Sequence, residues 1–308
     1  MAMPAADSDD SLLGRLGKHA PPPPLLAAGA LGGPIVIGSL TPLRNAMSNA
    51  AQDQKASFSQ LFAKVGGSTS RSPLQWLRTA YTGARASALP ACPQWCTIGP
   101  AFHVFHSVLP TPVALLTTAS LETVIAYGSQ SRNAQLAYNV QVATEAPSKV
   151  VQPLFGTWRP WGPGAPFFVL RNACGMAGIR WLSPPCQAAL EPVLPSGPRE
   201  LCADMAASTL TCLVSAPLNT CWAYTVTTPN LWTMSLLEQA TALVGFLRRQ
   251  YLEETEAGAT RVSRLAMRDL SVRVVYIAAC FSMFSSIERL AVKYWPRPDS
   301  SEPPRAAM

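Results

Sequence analysis

Ser39-Leu40-Thr41-Pro42-Leu43-Arg44 closes a run without formal charge that begins after His19, and two later segments repeat its outline: Thr118-Ala119-Ser120-Leu121-Glu122 and Ser215-Ala216-Pro217-Leu218-Asn219. Each follows an apolar stretch and leads into a polar connection, an Arg-containing step and a second apolar stretch. The steps are Trp76-Leu77-Arg78 with Gly83, Trp158-Arg159-Pro160-Trp161-Gly162-Pro163, and Met267-Arg268-Asp269-Leu270. The separations are unequal, but each unit occupies roughly one hundred residues, as a parallel three-fold repeat requires. The expected order is therefore helix, break, connection, helix, three times over.

Working outward, the apolar stretches read as membrane spans. Leu25 to Pro42 supplies most of one crossing, and Gly29 and Gly33 stand four apart there, the spacing that admits a neighbouring helix closely. No charge falls between Arg85 and Glu122, enough for about two crossings. Leu109-Pro110-Thr111-Pro112 divides that stretch, because two prolines so close cannot lie within one straight helix, so it reads as a helical hairpin. Pro166 to Leu182 is apolar apart from Arg171 and Arg180, Leu201 to Thr228 apart from Asp204, and Val272 to Phe284 apart from Arg273. Between the last two, Ser235 to Glu254 carries Leu236, Leu237, Ala240, Leu243, Val244 and Leu247 at helical spacing, ending in Arg248, Arg249, Glu253 and Glu254. This is an amphipathic helix for a membrane surface or a partner.

Composition agrees with the spans. Of 308 residues, 48% are hydrophobic and only 13% charged, with 29 prolines, 8 tryptophans and a net charge of +7. An ordinary soluble domain has roughly 25% charged residues, so little charge is left to cover a water-facing surface. A soluble all-helical bundle is the alternative that the modest mean hydropathy of +0.15 leaves open. The basic residues are scattered, with Arg248-Arg249 the densest pair, so nucleic acid is not an expected partner.

The eight cysteines contain one close pair, Cys92-Pro-Gln-Trp-Cys96, one residue too long for a thioredoxin-type motif and without a second pair to complete a zinc site. With three histidines, His19, His103 and His106, lacking partners at motif spacing, neither a metal, a cofactor nor an enzyme is expected. Met1 to Lys18 contains Asp7, Asp9 and Asp10 and no apolar core, unlike a secretory signal or a mitochondrial presequence. Pro21 to Pro24 then forms a stiff spacer.

Residues 25 to 297 resemble the mitochondrial carrier family, whose three repeats each join two spanning helices by a short amphipathic matrix-side helix. The segments Trp158 to Gly178, with Val169-Leu170-Arg171-Asn172, and Arg268 to Arg289, ending Ser286-Ile287-Glu288-Arg289-Leu290, carry the resemblance best. It implies an all-α membrane protein with six transmembrane helices in three pseudo-repeats. Their bounds are 25–112, 113–197 and 198–297, between tails 1–24 and 298–308. It also implies the mitochondrial inner membrane, with the outer membrane as runner-up, and lipid contacts of the cardiolipin kind.

The sequence departs from the family's gates. Odd helices there end in Pro-x-[Asp/Glu]-x-x-[Lys/Arg], and the six charges close one side by salt bridges. Here the acidic positions hold Arg44, Glu122 and Asn219, the basic positions hold Met47, Ile125 and Trp222, and Ser120 replaces the second proline. On the opposite side Glu288 is kept with Ala291 at the basic position, and Phe105-His106-Ser107-Val108-Leu109 offers no formal charge. Alternating access needs two closed states of similar free energy, so the usual parts of that switch are missing.

Substrate contacts implied by the resemblance fall at Arg171, Asn172 and Tyr276, with Arg85 near that level and Arg180 within the fourth span. An intramembrane Arg is costly and suits a carboxylate or phosphate. The competing readings are that Arg171 ties helices together and that Arg180 snorkels beside Trp181. Two functions are expected from this pattern. One is a carrier scaffold serving as a subunit or adaptor of a mitochondrial membrane complex, with Trp222, Tyr224 and Trp232 facing a partner or the membrane interface. The other is a transporter of a small anionic metabolite.

Overall fold

The computed structural model describes residues 21–50, 56–66, 72–143, 146–153, 159–254 and 259–296. The acidic N-terminal segment, Trp158 of the second Arg-containing step and the C-terminal tail lie outside the described residues.

Prolines set the first break. Helix α1, Pro23–Ser39, starts on prolines at its first positions, where a missing N–H costs nothing. It bends by 60° into α2, Thr41–Ala50. Pro42 cannot donate to the preceding turn, and Thr41 Oγ1 instead donates to the Ile37 carbonyl at 2.9 Å. After the short helices α3, Phe58–Val65, and α4, Pro73–Ala80, the chain turns through Gly83 at φ 77° into α5, Ala84–His106. The expected hairpin is present: α5 ends at His106, Pro110 caps the next helix, and α6 runs Thr111–Val142.

Gly164, at φ 74°, opens α7, Ala165–Ala177, which passes through a π turn, Gly178–Leu182, into α8, Ser183–Leu190. The long helix α9, Ser196–Val226, carries Pro217 inside it. The amphipathic helix α10 is Leu236–Tyr251, opened by a Ser235/Glu238 capping box. It stops three residues earlier than its sequence pattern, because Leu252–Glu254 (β1) pairs antiparallel with Thr260–Val262 (β2). An Arg261–Glu253 ion pair of 2.6 Å crosses this ribbon. Helix α11, Arg264–Tyr294, follows.

Treating the bent pair α1–α2 and the interrupted pair α7–α8 each as one unit, the long helices form a ring. Each unit packs on the next in chain order, and α11 returns to α1. The main core lies along the axis of this ring and takes Val36, Met47, Trp95, Leu115, Met176, Cys212 and Phe284 from successive units. A second cluster of Tyr127, Phe168, Trp222 and Phe246 fills the end where the longer connections cross. The Gly29/Gly33 spacing has its expected use. A Cβ at Gly29 would lie 2.6 Å from the Trp95 carbonyl oxygen, and one at Gly33 would lie 2.7 Å from Trp95 Cβ.

By length and apolarity, α9 and α11 suffice to cross a membrane, and α1–α2 makes a third if the bent pair is one span. The other ring units fall short of that standard for visible reasons. Helix α5 contains Pro90, Pro93 and Pro100. The second half of α6 buries Ser129, Ser131, Asn133 and Gln135, and α7–α8 is broken by its π turn.

Candidate functional site: a polar girdle on the axis

The break positions bring Arg44, Glu122 and Asn219 onto the axis, where each is at most 5% exposed. Helix α7 adds Arg171 and α11 adds Arg273, also buried. Buried polar groups must find partners or bear their full desolvation cost, and here they find one another across helices.

Arg44 Nη2 of α2 donates to Ser87 Oγ of α5. Gln94 Nε2 of α5 donates to Glu122 Oε1 of α6 at 2.8 Å, and Gln130 Nε2 of α6 returns a bond to Gln94 Oε1 at 3.3 Å. Arg171 Nη2 of α7 donates to Gln130 Oε1 at 2.8 Å, while its Nη1 donates to Asn219 Oδ1 of α9. Arg273 of α11 reaches Asn219 Oδ1 and Ser215 Oγ of α9, each at 3.4 Å. It closes the circuit at the Met47 sulfur of α2, also at 3.4 Å. Every neighbouring pair in the ring is thus joined at this level. Arg171 is further held between the Phe168 and Trp222 rings, its guanidinium carbon 4.1 Å from each centroid.

The space left inside is about 50 Å³, lined by Arg44, Glu122, Gln130, Arg171, Arg273 and Tyr276 among others. Ligand pockets for drug-sized molecules run to roughly 300–1,000 Å³, so this one admits nothing much larger than a few waters.

Both ends of the barrel are tied as well. On the side of the short turns, Arg180 on the π turn meets Glu288 of α11 at 2.9 Å. Arg289 reaches Asp204 of α9 at 3.1 Å, and Ser183 Oγ donates to the same carboxylate at 2.6 Å. On the side of the long connections, Arg268 donates to the Ala50 and Ala56 carbonyls at 2.7 Å each. Asn133 Nδ2 donates to Asn45 Oδ1 at 3.1 Å, and Gln135 Nε2 to the Val226 carbonyl at 2.9 Å.

Of the residues singled out by sequence, Arg171, Asn172 and Tyr276 line the cavity with Arg44, Met47, Glu122 and Trp222. Asn219 joins them as a hydrogen-bond partner of Arg171. Arg85 is exposed near the start of α5, and Ile125 is half-buried; neither lines the cavity. Arg180 is engaged by Glu288, so the acid of α11 finds its base on the π turn between α7 and α8 instead of at position 291. Of three aromatics expected to face a partner or the membrane interface, one is buried and two are half-buried against their neighbours. Trp222 is buried, Tyr224 stacks on Phe246 at 3.9 Å, and Trp232 Nε1 donates to the Thr225 carbonyl at 2.7 Å. The apolar surface is instead presented by Leu210, Leu213 and Val214 of α9, Leu236, Leu237 and Val244 of α10, and Leu290 and Val292 of α11.

Reading the sequence missed Gln94 and Gln130 altogether, and noticed Arg273 only as an interruption of a span. Among the described residues no group of acidic, histidine or cysteine side chains is placed to hold a metal.

No protein-family model matches this chain, and no curated protein matches it. Its class therefore rests on the helix ring and the girdle.

Proposed function

We propose that the chain is a six-span, three-repeat membrane barrel of mitochondrial-carrier type that serves as a scaffold: a subunit or adaptor of a mitochondrial inner-membrane assembly. The observation that carries this reading is the closed girdle. Parting all six of its joints to open the axis would cost roughly 1–2 kcal/mol each, about 6–12 kcal/mol together. A substrate of millimolar affinity supplies only about 4 kcal/mol. The barrel is therefore held in one state where a carrier needs two.

Matched features support the three repeats. Gly83 and Gly164 are left-handed caps opening α5 and α7, and Ser263 caps α11 at the corresponding step. The exposed apolar faces of α9 and α11 suit acyl chains or a protein neighbour, and the exposed face of α10 suits a partner or a cardiolipin-rich surface. Purification in mild detergent followed by native mass analysis tests the assignment. Co-migration with a larger mitochondrial complex is expected, and migration as a lone chain would overturn it. An outer-membrane location would appear in the same fractionation.

A second reading, transport of a small anionic metabolite, is favoured by one observation: the surplus of guanidinium groups on the axis. Uptake of a carboxylate and nucleotide panel into liposomes decides it. The scaffold reading expects no uptake, and no stabilisation by any of these compounds that Arg171→Ala would remove.

A further inference from the structure

The girdle leaves its electrostatics unbalanced. Among the described residues that line the cavity, Arg44, Arg171 and Arg273 share the axis with one carboxylate, that of Glu122. Among the described residues none of the three guanidinium groups has an ion-pair partner. Burying unpaired charge is costly enough that proteins compensate it with a counter-ion or a partner.

The unpartnered atoms have one chemistry. On residues that line the cavity they are Arg44 Nε and Nη1, Trp95 Nε1, Arg171 Nε, Asn172 Nδ2 and Trp222 Nε1. All are N–H donors, and no acceptor on the lining residues is left buried without a partner. Arg44 and Arg171 are 5% and 4% exposed, so bulk water does not serve them. A trapped water would bring two O–H groups that themselves require acceptors. An acceptor without hydrogens, carrying negative charge, answers both the donor excess and the charge excess.

We propose that the axial cavity binds one small monovalent inorganic anion, with chloride the size match, as a resident counter-ion of the girdle. The volume of about 50 Å³ sets the upper size of the ligand. A water-sized particle needs roughly 10–15 Å³ of such space, so a halide enters and a dicarboxylate or nucleotide does not. The anion accepts from Arg44 of α2 and Arg171 of α7, on opposite parts of the ring, and so adds a joint that the side chains do not make directly. The site stands independently of the scaffold reading: uptake of a metabolite into liposomes would overturn that reading and leave the anion in place.

The test is thermal unfolding of the purified full chain in detergent, followed by tryptophan fluorescence, with sodium gluconate exchanged for sodium chloride at constant ionic strength. A ligand held only by the native state raises Tm, and a saturating rise of about 5 °C is expected. Bromide should reproduce it, and phosphate should not. Equilibrium dialysis with radioactive chloride should retain one ion per chain. In Arg44→Gln both the rise and the retained ion should be lost. If that variant does not fold, the wild-type dialysis decides alone. Equal Tm in gluconate and chloride with no retained ion would overturn the proposal. So would a folded Arg44→Gln protein that keeps the full response, or a response to phosphate in place of chloride.

Discussion

Gln94 is the hinge pin of the girdle, and Gln94→Leu is the sharpest perturbation of it. The substitution keeps the volume nearly constant but removes the 2.8 Å donor to Glu122 Oε1 and the 3.3 Å acceptor of Gln130 Nε2. Both partners are buried, at 5% and 9% exposure, so neither gains bulk water in exchange. An orphaned buried group costs about 1–3 kcal/mol, with a carboxylate at the upper end, giving about 3–5 kcal/mol for the two. For a chain of this size each kcal/mol moves Tm by roughly 2–4 °C, so a fall of about 10 °C is expected. The assay is tryptophan fluorescence during a thermal ramp in detergent.

The reasoning has a second arm. In Gln94→Leu/Glu122→Leu both sides of the main bond are apolar, and replacing both partners is far cheaper than orphaning one. The double variant also loses the axial carboxylate, so it is read against Glu122→Leu alone, and a coupling of at least about 1.5 kcal/mol is expected in the cycle. A single-variant loss below about 1 kcal/mol, or additivity of the two changes, would refute the claim that this joint holds the barrel shut.

Other consequences are independent of that pair. Gly29→Ala places a methyl 2.6 Å from backbone atoms of Trp95 and Cys96, which cannot rotate away, and should destabilise the fold by about 1–3 kcal/mol in the same assay. Arg180→Gln and Glu288→Gln should each weaken the barrel, with a coupling of about 1 kcal/mol because the pair is partly exposed, and full additivity would remove it as a tie. Glu238 lies on the surface, where the Ser235 hydroxyl and backbone N–H hold its carboxyl below the usual range. A depressed carboxyl pKa contributes stability above its unfolded value and loses it as pH falls through the folded one. Ser235→Ala should thus shift the Glu238 titration upward by NMR, and an unchanged midpoint would deny the cap.

Some of this architecture was written plainly in the sequence. The turn at Leu109 to Pro112, the bend at Pro42 and the close approach at Gly29 and Gly33 each follow from a residue with one local meaning. Arg171 was legible for a similar reason, as one of two charges in an apolar run. The glutamines that receive it were not, because an uncharged amide leaves no mark on hydropathy and Gln94 and Gln130 stand 36 residues apart. Arg180 and Glu288 are separated by 108 residues, so no local spacing connects them. Trp222 misled because composition says that a ring will be buried against something without saying which way it points. The end of α10 was overrun because its charged tail fits a helix and a ribbon equally, and pairing with Thr260–Val262 chose the ribbon.

The central claim, that the axis stays closed, can be tested at Cys280. This thiol lines the cavity and is 3% exposed. In a chain whose other cysteines are replaced, reconstituted into liposomes, a membrane-impermeant maleimide should fail to label Cys280 from either side and label it fully only after denaturation. Labelling from one side, at a rate that an added metabolite alters, would contradict the account and show a barrel that opens.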